Sequence, residues 1–126
     1  MRSAITTYAP GVEAAPGRSL PVIIDRLPRL VLLASVVRIE AVGSRCQVCT
    51  QDGRLYPVAG TLVSLARLVP HFWQPHRSHL VNPAYVCCLP GSVRHQGRLL
   101  LKIGGWVPVS RRRKEAIYQR LKQLSA

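Results

Sequence analysis

The hydrophobic positions of this chain come in short runs that turn residues separate. Seven of these runs are predicted to be β-strands, at positions 20–24, 29–33, 36–42, 46–51, 54–58, 99–103 and 106–109. In the third run Val37, Ile39 and Ala41 alternate with charged residues and are therefore expected on one face of a strand. Asp52-Gly53 and Gly104-Gly105 are typical dipeptides of tight hairpin turns. The pattern thus predicts two hairpins in an antiparallel arrangement.

Two segments have helical spacing instead. Apolar residues repeat at that spacing in 61–69, which predicts a short helix with Thr61 as its N-cap and Pro70 as its stop. A second apolar stripe predicts a C-terminal helix over 111–124, with Ser110 as its N-cap. Strands therefore dominate, and helices are few.

The length of 126 residues fits one ordinary domain, and an apolar content of 48% excludes a fully disordered chain. Residues 1–18 contain prolines and glycines without a sustained period, so they are predicted to be a flexible N-terminal tail. The domain itself is expected at 20–125.

The charge balance is strongly basic. Eighteen Lys and Arg residues stand against five Asp and Glu, which gives +13, and fifteen of the eighteen are arginine. A guanidinium can form two parallel hydrogen bonds with a phosphate or with the edge of a guanine, whereas an ammonium cannot. The composition therefore favours a nucleic-acid partner over a merely solvated basic surface.

Several other classes of protein are disfavoured. The few carboxylates are scattered singly, which argues against a two-carboxylate glycosidase and against a carboxylate-bound magnesium site. No apolar run approaches the roughly twenty residues that span a bilayer. The N-terminus does not resemble a secretory signal either. We therefore expect a cytoplasmic protein with no membrane partner.

The four cysteines do not have the spacing of a structural zinc site. Cys46 and Cys49 form the one CxxC, whereas Cys87 and Cys88 are adjacent in sequence. Buried thiols are the favoured interpretation, with zinc and disulfides as weaker alternatives. The sequence predicts neither a metal nor another cofactor.

Four cations follow Ser110 in succession: Arg111, Arg112, Arg113 and Lys114. Positive charge at the start of a helix is unfavourable by itself, because the helix dipole is already positive there. A phosphate at this place would accept hydrogen bonds from both the backbone and the arginines. The cluster predicts contact with a nucleic-acid backbone, with a solvated cluster as the alternative.

A further constellation of polar residues lies at 75–83. Strand alternation would place His76 and Ser78 on one face and Arg77 and His79 on the other. A serine hydrolase would need a histidine beside Ser78 and an acid that orients it, but the adjacent His79 would face the opposite way and Asp52 is the one candidate acid. We therefore expect no enzymatic activity, and we interpret His76 as a packed histidine.

Together these residues resemble the LytTR-type DNA-binding domain of bacterial transcription regulators. The similarity covers roughly residues 20–125 and rests on an ordered set of motifs: Ile39-Glu-Ala41, the Asp52-Gly53 turn, Gly60-Thr-Leu62, Phe72, His76-Arg-Ser78, Leu80-Val-Asn82 and Val107-Pro-Val-Ser-Arg111. It implies a mostly β fold in which small, mainly antiparallel sheets form an elongated body. Loops, and not helices, would enter successive major grooves of the duplex.

The resemblance also implies particular contacts. Its three base-contacting positions are occupied here by Arg45, Arg77 and Arg111, and arginine with guanine is the commonest specific contact in the major groove. Residues expected at phosphates or at a groove edge are His79, Arg112, Arg113 and Lys114. The chain departs from the family at Gln74-Pro75, where a basic residue and an aliphatic one are usual.

Double-stranded DNA with repeated half-sites is therefore the expected partner, with a second copy of the chain on the same DNA. Members of the family are often fused to a receiver domain or a membrane-embedded sensor, and 126 residues leave space for neither, so the upstream partner is unknown. The predicted function is a sequence-specific transcription regulator. An RNA-binding or ribosome-associated basic module is the alternative, although seven aromatics offer few platforms for stacking on bases.

Overall fold

The computed structural model describes residues 5–6 and 19–125. Within these residues, three antiparallel sheets and three helices form the fold. The strands are β1 (Ile5–Thr6), β2 (Ser19–Ile24), β3 (Leu27–Leu32), β4 (Val36–Val42), β5 (Arg45–Thr50), β6 (Leu55–Val58), β7 (Trp73–His76), β8 (His79–Val81), β9 (Arg98–Leu100) and β10 (Trp106–Pro108). The helices are α1 (Leu62–Leu68), α2 (Pro90–Gln96) and α3 (Lys114–Ser125), and 3-10 turns lie at Leu33–Ser35 and Pro83–Tyr85. The predicted mostly β fold of small antiparallel sheets, with a short helix and a C-terminal helix, is confirmed.

The predicted tail, residues 1–18, lies outside the described residues except for Ile5–Thr6, which pairs with β3. No helix in the described part of the chain is long and apolar enough to cross a membrane.

A five-stranded sheet with the order β6-β5-β4-β8-β7 is the centre of the molecule. The five strands predicted between positions 20 and 58 are all present, and their ends differ from the prediction by at most two residues. The Asp52-Gly53 turn joins β5 to β6 as predicted, with the N–H of Gly53 donating to the Thr50 carbonyl at 2.9 Å. Gly53 has a φ of +83°, which glycine adopts without strain.

Both faces of the central sheet are buried. One face packs against the β1-β3-β2 sheet and α1, through a core that includes Leu20, Ile39 and Leu65. The other face packs against the β9-β10 hairpin, α2 and α3, through a core that includes Val37 and Leu121. The prediction that Val37 shares a face with Ile39 is wrong, because the register of β4 shifts between Val36 and Arg38 and the bulge reverses the alternation.

The segment predicted as one strand over 75–83 is a hairpin. β7 and β8 are joined by Arg77-Ser78, and His76 and His79 are directly opposite each other in the register. Two hydrogen bonds stabilise the turn: the N–H of Ser78 donates to His76 Nδ1 at 3.1 Å, and the N–H of Ala41 donates to the Ser78 carbonyl at 2.8 Å. The predicted placement of His76 and His79 on opposite faces is therefore wrong.

Helix α1 begins where the sequence predicts. Thr61 is its N-cap, and Ser64 completes a capping box with reciprocal hydrogen bonds of 3.0 and 3.1 Å. Helix α2 was not predicted, because Val93 is its one fully buried apolar residue and leaves no stripe to detect. The proline at its start and Gly97, its left-handed C-cap, are sequence features that indicate the two ends of such a helix.

Helix α3 begins at Lys114, later than predicted, and Ser110 is not its N-cap. Ser110 instead donates its N–H to the Pro75 carbonyl at 2.9 Å, and its buried hydroxyl has no partner among the described residues. Tight turns then occupy 111–113, with the N–H of Arg113 donating to the Ser110 carbonyl at 3.1 Å. The three arginines therefore precede the helix and do not form its first turn.

The second predicted hairpin is present as β9 and β10, which pair in antiparallel register. Its first strand ends at Leu100 and not at 103, because Leu101 pairs with Val86 and Lys102 donates its N–H to the Tyr85 carbonyl at 2.7 Å. Gly104 and Gly105 both have positive φ in the loop, as the dipeptide predicted.

Candidate nucleic-acid interface

Two hairpin turns of the central sheet lie at the same end. β4 and β7 finish there and β5 and β8 begin there, because neighbouring strands are antiparallel. The turns are Gly43-Ser44 and Arg77-Ser78. We call this edge, together with the adjoining segment 111–114, the arginine end.

Arg45 is the first residue of β5 and is exposed. It pairs with Val42 across the Gly43-Ser44 turn, and Gly43 has a φ of +61°, the left-handed conformation that such a turn requires. Arg77 is also exposed and occupies the turn of the neighbouring hairpin. Arg45 therefore lies directly after one turn of the arginine end, and Arg77 lies within the other.

The hydrogen bond from Ser110 to Pro75 brings the basic cluster to the same edge. Pro75 is the third residue of β7, so the residues after Ser110 lie beside the finish of that strand. Arg111 and Arg112 are exposed, whereas Arg113 and Lys114 are half-buried. A backbone contact thus positions the cluster next to the Arg77 turn.

The three predicted base-contacting residues form a row across the edge of the sheet. Arg45 lies on β5, Arg77 follows β7, and Arg111 lies beyond β7, although 32 and 34 residues separate them along the chain. With neighbouring strands about 4.8 Å apart, the step from β5 to β7 is about 14 Å. The row is therefore longer than the major groove of DNA is wide, about 12 Å.

The cations of this row lack acidic partners in the described part of the chain. Ion pairs between residues 19 and 124 join Arg54 to Asp52, His79 to Glu40, and Arg94 to Glu115. Of the seven predicted DNA-contacting residues, only His79 takes part in one of these pairs. The other six side chains, all cationic, make no hydrogen bond to another described residue, so their donors are available to an external anion.

His79 differs from the other members of the predicted set. Its side chain is 17% exposed, and Nε2 lies 3.5 Å from a carboxylate oxygen of Glu40. Burial lowers the pKa of His79, and the nearby His76 and Arg38 act in the same direction, while Glu40 opposes them. The structure places His79 just behind the Arg77 turn and not at its tip.

Arg38 has a structural contact that the sequence did not reveal. Its guanidinium donates to the Gly104 carbonyl at 3.0 Å and so links β4 to the β9-β10 loop. It is half-buried and does not lie in the row of exposed arginines.

The cysteines and carboxylates of the described residues do not come together as a metal site. Within the described residues, no three His, Cys, Asp or Glu side chains converge as ligands. Cys46 and Cys49 are buried, and burial raises the pKa of both thiols, whereas Cys88 is exposed. The interpretation as buried thiols therefore holds for the CxxC pair and is wrong for Cys88.

Comparison with known proteins agrees with the fold and gives the class of protein, a DNA-binding domain of transcription regulators. Residues 28–122 match the family of the LytTr DNA-binding domain, and the chain belongs to that family. No curated protein matches the chain.

A similar solved structure is the LytTr DNA-binding domain of a protein described as a methyl-accepting/DNA response regulator, from Bacillus cereus. The similarity has a TM-score of 0.67 and covers 82% of this chain and 95% of that one, at 19% identity. At this identity it supports the fold, and the DNA-binding class rests on the family match.

Proposed function

We propose that this domain recognises specific sequences in double-stranded DNA and contacts the major groove through the arginine end. The observation that carries the proposal is the convergence of Arg45, Arg77 and Arg111 at one edge of the central sheet, without acidic partners among the described residues.

The chemistry of these side chains fits base recognition. Each guanidinium can donate two hydrogen bonds to O6 and N7 of a guanine, and each such pair discriminates by about 1 to 3 kcal/mol. Since the three arginines come from three separate segments of the chain, each would specify a different base position. A row longer than one groove supports contacts in more than one groove.

The neighbouring cations suit the phosphate backbone. Arg112, Arg113 and Lys114 follow Arg111 directly and would bind phosphates beside the base that Arg111 contacts. His79, which lies just behind the Arg77 turn, would also contact a phosphate or the edge of a groove. These contacts would hold the domain in register without specifying sequence.

The target is proposed to contain two half-sites that two copies of the chain occupy. Regulation of transcription would follow from occupancy of such a site, under control of an upstream sensor or receiver. No chemical step is part of this function.

Selection of genomic fragments, followed by footprinting at two salt concentrations, tests the proposal. We expect a discrete protected site, and log affinity should fall with log salt by about 0.9 per phosphate neutralised. Equal protection of all sequences would contradict sequence recognition. Displacement of the duplex by structured RNA at equal nucleotide concentration would favour the RNA-binding alternative.

A further inference from the structure

The β2-β3 hairpin reaches the arginine end from outside the central sheet. Its residue Ile23 lines a groove together with Ser44, Arg45 and the segment 57–60. Since Leu20 at the start of β2 is buried in the core, the strand runs from the core towards this edge. The turn that follows, Asp25-Arg26, therefore lies at or past the edge, about 7 to 10 Å along the chain from Ile23.

This turn is an unusual place for an arginine. Asp25 and Arg26 have φ values of +51° and +66°, the left-handed region in which glycine or asparagine is favoured. Asp25 is among the residues that tolerate this conformation, whereas Arg26 has no local reason to adopt it. The turn geometry alone does not explain the arginine side chain.

Arg26 is exposed and makes no ion pair or hydrogen bond within the described residues. It also lies just outside the part of the chain that matches the family, 28–122. Arg45 itself lines the groove, is exposed and likewise has no partner among the described residues. Arg26 follows the groove residue Ile23 by three positions, so two exposed guanidinium groups without a described partner belong to the segments that form this groove.

We infer that the β2-β3 turn extends the DNA interface, with Arg26 binding a backbone phosphate on the flank of the base that Arg45 contacts. The inference rests on the proposed function, because it uses the same edge and the same ligand. It adds a phosphate contact from a hairpin that begins outside the matched family region. Asp25 would moderate this contact, since its carboxylate repels the same phosphate.

Arg26→Gly is the decisive variant, because glycine removes the charge and also relieves the positive φ. We expect its thermal unfolding midpoint to be equal to or above that of the wild type. Its affinity for cognate and random duplexes should fall alike, by about eightfold at 0.1 M salt, and the salt slope should flatten by about one unit. Arg26→Lys should recover the slope, and Asp25→Asn should raise affinity.

Arg67→Ala is the matched control. It also removes one exposed arginine, but Arg67 lies in the last turn of α1, which leads to the opposite end of the sheet where β7 begins. Its salt slope should equal that of the wild type.

An unchanged slope and an unchanged footprint in Arg26→Gly would overturn the inference. If Arg113→Ala flattens the slope in the same experiment, the proposed function stands without Arg26. The effect of Arg26→Gly on affinity for random duplex can be measured whether or not the domain prefers a sequence. If the wild type shows no sequence preference, that result contradicts the proposed function and leaves the inference about Arg26 to its own test. Failure of the wild type to bind any duplex would overturn both.

Discussion

Arg77 offers the simplest test of base recognition at the scale of a single residue. Its side chain is exposed in a two-residue turn that backbone groups and His76 stabilise, so removing the guanidinium should leave the fold intact. We expect Arg77→Ala to cost about 1 to 3 kcal/mol on the preferred site and to relax the choice at one base position.

Binding to a set of sites with single base changes measures this effect. An equal loss of affinity on every sequence would show that Arg77 binds a phosphate, and that specificity arises from other residues or from DNA shape. His76→Ala is the companion variant. It should lower stability more than specificity, because His76 Nδ1 accepts the turn hydrogen bond from Ser78.

We expect His79 to make stability depend on pH. Burial lowers its pKa in the folded state below the ordinary 6.5, so the unfolded chain binds more protons just below that pH. The free energy of unfolding should therefore fall as pH drops from about 7 to about 5, and His79→Gln should reduce this fall. Chemical denaturation at several pH values measures it.

The matched control is His95→Gln, which changes an exposed histidine on α2 and should keep the wild-type pH dependence. If the free energy of unfolding of His79→Gln depends on pH as that of the wild type does, Glu40 compensates fully for the burial of His79. A phosphate near His79 would raise its pKa, so DNA affinity should increase at lower pH if the proposed contact forms.

At the scale of an element, the segment before α3 separates phosphate contacts from base contacts. Arg113 directly precedes α3 and Lys114 is its first residue; both are half-buried, whereas Arg111 is exposed. If both side chains bind phosphates, replacing either one by alanine should weaken binding to cognate and to random DNA nearly equally. Each substitution should also flatten the salt slope by about one unit. Salt titrations of binding measure this, and a selective loss on cognate DNA would assign these residues to bases instead.

Asn82 joins two elements through a buried side chain. Its amide donates to the carbonyls of Leu33 and Val36 at 3.3 and 2.9 Å, and its Oδ1 accepts from the N–H of Ala84 at 3.0 Å. Asn82→Ala should lower the free energy of unfolding by about 1 to 3 kcal/mol, because the Val36 carbonyl loses this donor and the Leu33 carbonyl keeps only the N–H of Val36.

Denaturant unfolding measures the cost. Asn82→Asp should be at least as destabilising at neutral pH, because a carboxylate would face two carbonyl oxygens. Gln51→Ala, at an exposed acceptor for the Tyr85 hydroxyl, serves as the mild comparison and should cost less than about 1 kcal/mol. A small effect in both Asn82 variants would mean that water satisfies the carbonyl groups.

At the scale of the whole molecule, the proposed pair of half-sites predicts how two copies occupy one target. Both copies would lie on the same face of the duplex if the half-sites are about one helical turn, roughly 10.5 base pairs, apart. Insertion of about five base pairs between the half-sites should abolish cooperative binding in footprint titrations, because it rotates one site to the opposite face. Unchanged occupancy after the insertion would indicate recognition of single sites.

Much of the secondary structure followed from local sequence. Alternation and turn dipeptides located the strands from β2 to β6, and Thr61 with its helical spacing located α1, because these signals act over a few residues. Distant contacts explain two of the differences at element ends: Leu101 pairs with Val86 beyond the end of β9, and the N–H of Ser110 donates to Pro75 of β7, so α3 begins later than predicted.

The basic character of the protein and the identity of its arginines were determined by the sequence alone. Family resemblance selected Arg45, Arg77 and Arg111, but no local pattern brings together residues more than thirty positions apart. Only the tertiary structure decided that they share one edge, because the strand order β5-β4-β8-β7 and the Ser110 to Pro75 hydrogen bond place them in a row. The same packing brought Ile23 of β2 to the groove beside Arg45, since the position of β2 depends on how a separate sheet covers the core.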